Sequence, residues 1–244
     1  MMASATRREP RMTIRFHRSG VGPKLLMLHG IGMDRHAWDG MAALSDRFEV
    51  IGCDLPASPA IEDMSETLAA AMRREGIEKT HLIGHDLGGM VAQHLAASEP
   101  GLVDRLVLCG TTPTFNGDDQ ALWRQRAAIA GQVGAASVMR MLEPEWFTPA
   151  FLTRNPQAAD CSPEDFARAC EAMATADLID LAGEIFARTL VLVGEHDTLA
   201  YREAADWLAQ SIAGAKLAFV PNAAHAVPVE QPAWLAQVLG TFLA

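Results

Sequence analysis

Gly84-His85-Asp86-Leu87-Gly88-Gly89 joins an apolar run at 80–83 to a helix-patterned stretch at 87–98. A strand that becomes a helix within so few residues leaves no room for side chains inside the bend. Glycine at 84 and 88 meets that demand. The turn thrusts Asp86 out above the strand end, beside the free N–H groups and positive dipole end of the following helix. Such a strand–turn–helix step belongs to a sheet of parallel strands with helical crossovers.

The rest of the first half repeats that rhythm. Apolar runs at 12–17, 24–28, 48–53, 80–83 and 102–109 read as strands. Residues 63–75 place Met64, Leu68, Ala71 and Met72 at helical spacing. Strands apolar on both faces imply a parallel sheet covered by helices on both sides. Between Thr112 and Glu184 the pattern is helical throughout, with one helix expected at 118–133 and another at 163–174, opened by a capping Ser162 and Pro163. Strand-like runs resume at 189–193 and 216–220, with helices at 201–211 and 232–242. The expected architecture is α/β, a mostly parallel doubly wound sheet with a helical cap insertion. Its parts are a flexible tail at 1–11, a core domain at 12–112 and 185–244, and the cap at 113–184.

Two further strand ends carry polar residues where apolar ones would be expected. Glu195-His196-Asp197 follows the run at 189–193, and an imidazole, His225, follows the last strand. Asp86, Asp197 and His225 stand in the chain order nucleophile, acid, histidine, around a G-x-D-x-G version of the nucleophile elbow. Reactive groups in open α/β sheets collect at the carboxyl ends of strands. His29-Gly30-Ile31-Gly32 ends an early strand, so the backbone N–H of Ile31 and that of Leu87 are candidates for an oxyanion hole.

These runs resemble the α/β-hydrolase superfamily over nearly the whole chain, and within it 3-oxoadipate enol-lactonase and its neighbours. The resemblance rests on HGIG, on GHDLGGMVAQHLA, on Trp146-Phe147-Thr148-Pro149-Ala150-Phe151, on LVLVGEHD and on AAHAVPVEQP. It implies an α/β-hydrolase fold and a cofactor-free hydrolase. That family carries serine at the elbow, where this chain has Asp86, and a D-x-P-G-x-G run where this chain has Asp54-Leu55-Pro56-Ala57-Ser58-Pro59. Elbow aspartates in the superfamily mark haloalkane dehalogenases, fluoroacetate dehalogenases and epoxide hydrolases. Each of these loses a supporting residue here. Leu87 stands where a tryptophan usually follows the aspartate, no arginine occurs at 85–90, and no histidine occurs between His94 and His196. The single tyrosine, Tyr201, lies outside the expected cap.

A carboxylate is ionised at neutral pH without help and suits displacement at a saturated carbon. The expected reaction forms an alkyl ester on Asp86, which water activated by His225 then hydrolyses, with Asp197 orienting the imidazole. Attack of Asp86 on an ester carbonyl is disfavoured, because a carboxylate leaves more readily than an alkoxide or enolate. A gap of about six pK units corresponds to roughly 8 kcal/mol. An ester or lactone substrate would therefore use Asp86 as general base. A non-hydrolytic cyclase, lyase or ligand-binding protein on the same fold is the remaining alternative.

His85, Trp123 and Trp146 are candidate substrate contacts, the tryptophans as apolar walls with one donor. No metal site is expected, since Glu195, His196 and Asp197 lack ligand spacing. Cys53, Cys109, Cys161 and Cys170 show no C-x-x-C pair and read as reduced thiols of a cytoplasmic protein. A net charge of −10 argues against nucleic acid and membrane surfaces as partners. The expected partner is a small-molecule substrate, with a homo-oligomer left open.

Overall fold

The computed structural model describes residues 14–153 and 161–244. The tail expected at 1–11 lies outside them, as do residues 12–13 of the first expected strand. Seven strands form one sheet among the described residues: β1 (Phe16–Ser19), β2 (Lys24–Leu28), β3 (Glu49–Cys53), β4 (Thr80–His85), β5 (Val103–Cys109), β6 (Arg188–Gly194) and β7 (Lys216–Val220). Their order is β1-β3-β2-β4-β5-β6-β7, with β1 antiparallel to β3 and every other neighbour parallel. This is the expected α/β class.

The first strand differs from expectation. It starts at Phe16 and runs through Ser19, because its register is set by pairing Phe16 with Cys53 and Ser19 with Val50 at a mostly exposed edge. β4 runs two residues further than the apolar run suggested, since Gly84 and His85 still pair with Leu108 and Cys109 of β5.

Central strands bury both faces. Along β2, Leu26 and Leu28 join one apolar cluster while Leu25 and Met27 join the other, as period-two alternation requires. On the first face lie α1 (Ile61–Arg74) and α2 (Leu87–Ser98). α1 buries Ile61, Met64, Leu68 and Met72, with Glu62 and Asp63 in its first turn and Arg73 and Arg74 in its last, each sign matched to the dipole end.

Between β5 and β6 stand α3 (Gly117–Val133), α4 (Ala135–Trp146), α5 (Pro149–Leu152) and α6 (Pro163–Thr175). The cap of α6 forms as its sequence implies, with the Ser162 hydroxyl accepting from Asp165 N–H at 3.1 Å. α7 (Leu199–Ser211) follows β6, and α8 (Val227–Glu230) and α9 (Pro232–Phe242) follow β7. α7 begins two residues earlier than expected, which puts Tyr201 within its first turn. Among the described residues no helix is long and apolar enough to cross a membrane.

Candidate active site

The turn between β4 and α2 packs backbone against backbone. A Cβ on Gly84 would lie 2.2 Å from the carbonyl oxygen of Gly88, and one on Gly88 would lie 2.5 Å from the carbonyl oxygens of Leu28 and His29. Asp86, the one residue between strand and helix, has φ +50° and ψ −116°, a conformation L residues rarely adopt. Its backbone is held on every side. Asp86 N–H donates to the Cys109 carbonyl at 3.1 Å, and its own carbonyl accepts from Gly89 N–H, Met90 N–H and the Thr111 hydroxyl. These bonds hold the strained conformation in place.

The Asp86 carboxylate is 1% exposed, and its two oxygens differ. Oδ2 accepts Ile31 N–H at 2.9 Å. Oδ1 accepts the Tyr201 hydroxyl at 3.2 Å and stands 3.6 Å from His225 Nε2, an electrostatic contact longer than a hydrogen bond. Leu87 opens α2, so its N–H belongs to the unpaired first turn of that helix. Ile31 is presented by a braced loop. His29 Nε2 accepts Leu55 N–H at 2.9 Å, so its proton is on Nδ1, which donates to the Gly30 carbonyl at 2.8 Å. Burial lowers the pKa of this imidazole, in keeping with the neutral tautomer.

On the other side of Asp86, His225 is buried with its Nδ1 3.1 Å from Asp197 Oδ2, while Asp197 Oδ1 accepts Thr198 N–H at 2.8 Å. Burial alone would lower the His225 pKa, but the facing carboxylates of Asp197 and Asp86 outweigh it and push it up to about 10. Burial would likewise raise the Asp86 pKa. The charge of His225 and the Ile31 N–H outweigh that and hold it at about 2. The two shifts reinforce each other, each group favouring the charged form of the one it faces.

The expected residues Asp86, Asp197 and His225 thus come together, with Ile31 and Leu87 N–H beside them. The other three candidates fall in different places. Trp146 stands against the His225 ring at 5.3 Å between centroids, and its carbonyl accepts Ala226 N–H at 2.9 Å. Trp123 is buried under the Arg126 guanidinium, 4.3 Å above its ring, and reaches the site through Phe115, whose ring meets that of Tyr201. His85 is buried below these residues, where its Nε2–H donates to the His225 carbonyl at 2.9 Å. Burial first, then the charge of His225, lowers its pKa to about 4, so it is a neutral strut under the histidine loop.

Two residues to which the sequence reading gave no place in the site lie in it. Tyr201 places its ring 4.2 Å from that of His225 and its hydroxyl on Asp86 Oδ1. Burial, then the charges of Asp86 and Asp197, raise its pKa well above the ordinary value, so it remains a phenol. Its signal was position alone, four residues beyond Asp197 at the start of a helix. Glu230 accepts Thr148 N–H at 2.8 Å and the Thr148 hydroxyl at 2.7 Å through Oε1, and Ala224 N–H at 2.6 Å through Oε2. It fastens the histidine loop to the stretch after α4. A cavity of about 370 Å³ adjoins Ile31 and Leu87, walled in part by Met33, Leu55, Met64 and Ala169.

Comparison with known proteins agrees with this fold. Residues 25–238 match the model of the Alpha/beta hydrolase family. A pimeloyl-(acyl-carrier protein) methyl ester esterase of Chromobacterium violaceum is 31% identical over 85% of this chain and 89% of its own. The 3-oxoadipate enol-lactonase 2 of Acinetobacter baylyi is 26% identical over 86% of this chain and 84% of its own. Among solved structures, the enol-lactonase from Burkholderia xenovorans LB400 superimposes with a TM-score of 0.88 at 26% identity, covering 94% of this chain and 96% of that one.

Proposed function

The chain belongs to the alpha/beta hydrolase family, and within that family we propose that it hydrolyses small organic substrates through an alkyl ester formed on Asp86. One observation carries this reading: Asp86 Oδ2 already accepts Ile31 N–H at 2.9 Å. An external ester would need its own carbonyl oxygen at that donor and would have to displace the carboxylate. An alkyl ester of Asp86 needs no displacement, because Oδ2 becomes its carbonyl oxygen where the donor already is.

The reaction runs in two displacements. Asp86 Oδ1 attacks a saturated carbon, and the leaving group departs with the bonding pair. Asp86 then has no charge, His225 loses one of the two carboxylates that hold its proton, and the imidazole deprotonates to solvent. Neutral Nε2 takes a proton from water as that water attacks Cγ, and the oxyanion developing on Oδ2 is held by Ile31 and Leu87 N–H. The Cγ–Oδ1 bond breaks, the second proton of the water ends on the departing Oδ1, the product alcohol leaves with it, and Asp86 keeps the oxygen of water. Asp197 orients the imidazole throughout.

A single turnover in heavy-oxygen water tests this. The label is expected in the Asp86 peptide, and His225→Gln is expected to accumulate an adduct there, seen in the intact mass. Label found only in product overturns the reading. The ester and lactone substrates named for the relatives favour a second one, in which Asp86 is the general base for water attacking a bound ester or lactone. That route puts the label in product and never in Asp86.

A further inference from the structure

We propose that Tyr201 is a catalytic residue of the second displacement, handing its proton to the oxygen that leaves Asp86 with the product alcohol. The inference rests on the alkyl-ester reading above and goes beyond it. In that reading the departing atom is Asp86 Oδ1, and Tyr201 is the group placed on it: its hydroxyl donates to Oδ1 at 3.2 Å, nearer than His225 Nε2 at 3.6 Å. The ring of Tyr201 lies against that of His225, at 4.2 Å between centroids, so the donor is fixed beside the base without being the base.

The division of labour follows from what each group holds when the bond breaks. His225 has just taken a proton from the attacking water and faces Asp197 and the oxyanion of the Asp86 adduct, which favour its charge. Tyr201 enters the step as a phenol, kept so in the resting site by burial and by Asp86 and Asp197. An alkoxide is a far stronger base than a phenolate, so transfer from Tyr201 to the departing Oδ1 runs downhill. The protons balance. Collapse of the tetrahedral carbon leaves a carboxylic acid on Asp86, whose proton passes to the Tyr201 oxygen. Phenol and carboxylate are restored, and the proton on His225 is the one taken from water.

Tyr201→Phe removes the hydroxyl and keeps the ring against His225. The probes are bromoethane, bromoacetamide and bromoacetonitrile, whose product alcohols rise in acidity in that order. Adduct on Asp86 is followed by intact mass after rapid mixing with wild type, Tyr201→Phe and His225→Gln. Tyr201→Phe is expected to form the adduct at a rate near wild type and to clear it about 100-fold more slowly, within the range of general acid catalysis. The deficit should be largest for the ethyl ester and smallest for the cyanomethyl ester, because the more acidic alcohol needs the proton least. A merely structural role would slow all three alike. If His225→Gln holds the adduct while Tyr201→Phe clears it at the wild-type rate, or with the same deficit for every probe, the role of Tyr201 is overturned and the alkyl-ester reading stands. If no protein forms an adduct with any probe, that reading falls and this inference with it.

Discussion

The turn that carries Asp86 and the loop that carries His225 meet at 3.6 Å between side-chain tips, yet different means hold them. The turn is backbone pressed on backbone: Gly84 against Gly88, Gly88 against Leu28 and His29, with Asp86 in a strained conformation between them. The histidine loop is held by side chains. Glu230 gathers Thr148 and Ala224, His85 supports the His225 carbonyl from below, and Tyr201 and Trp146 press on the ring. Backbone contacts fix a position to a fraction of an ångström but tolerate no added atom. Side-chain contacts can be trimmed one group at a time. Asp86 is thus set rigidly, and His225 is set by parts that substitution can tune.

The largest effect expected from breaking this comparison is chemical. Asp86→Asn keeps an oxygen for Ile31 N–H but removes the negative charge from the attacking atom. Turnover should fall at least about 10,000-fold, roughly 5 kcal/mol of barrier, with unchanged far-ultraviolet circular dichroism. Activity within tenfold of wild type would remove Asp86 from the chemistry. Next comes Gly84→Ala, which drives a methyl group into a carbonyl oxygen that the α2 backbone holds in place. A loss of about 3 kcal/mol in denaturant unfolding is expected, at the upper end of overpacking costs. A loss below 1 kcal/mol would show that the turn gives more readily than its contacts imply.

The same contrast explains what could be read from the chain before the fold was known. The turn was legible because its cause is local: glycines two residues either side of Asp86, an apolar run before and a helix after. Asp197, His225 and Ile31 were legible because each ends a strand, and strand ends in a parallel sheet converge on one side. The N–H of Ile31 was read as an oxyanion-hole donor to the ester of Asp86, and in the resting site it already holds Asp86 Oδ2. Tyr201 and Glu230 were missed because Asp86 and Thr148, the partners they reach across the fold, lie 115 and 82 residues away. No local pattern reports a contact set by how α7 leaves β6 or by how the histidine loop meets the stretch after α4. The sequence reading weighed Tyr201 only as a tyrosine outside the expected cap, against an epoxide hydrolase, and the route of the chain into α7 carries it to Asp86. His85 shows the converse limit: a neighbour of Asp86 in the chain, it points beneath the site.

Removing the fastening of the histidine loop should cost less than either change to the turn. Glu230→Ala leaves two backbone N–H groups and one hydroxyl without their carboxylate. Losing acceptors for partly buried donors is expected to cost about 2 kcal/mol of stability and to lower kcat about tenfold as His225 loses its placement. Glu230→Gln keeps one oxygen but must turn an amide N–H₂ toward a donor, so about half the stability loss is expected. Equal kcat in wild type and Glu230→Ala would mean that β7 and Trp146 suffice to place the histidine.

The finest distinction between the two regions is drawn by pH. His225 has its pKa raised from 6.5 to about 10, so its contribution to stability is complete below about pH 6.5 and is lost as pH climbs toward 10. Asp86 has its pKa lowered from 3.8 to about 2, so its contribution is complete above about pH 4 and is lost as pH falls toward 2. Unfolding free energy should therefore decline on the alkaline side. In Asp86→Asn that decline should be shallower and finish at lower pH, because Asp197 alone then faces the imidazole. Glu230→Ala should be less stable at every pH yet parallel to wild type, since Glu230 touches backbone and not the His225 ring. Denaturant midpoints measured from pH 6 to 10 for the three proteins decide the matter. A parallel curve for Asp86→Asn would mean that the two carboxylates do not share one imidazolium, and a shallower one for Glu230→Ala would mean that the fastening acts through the charge of His225 as well as through its position.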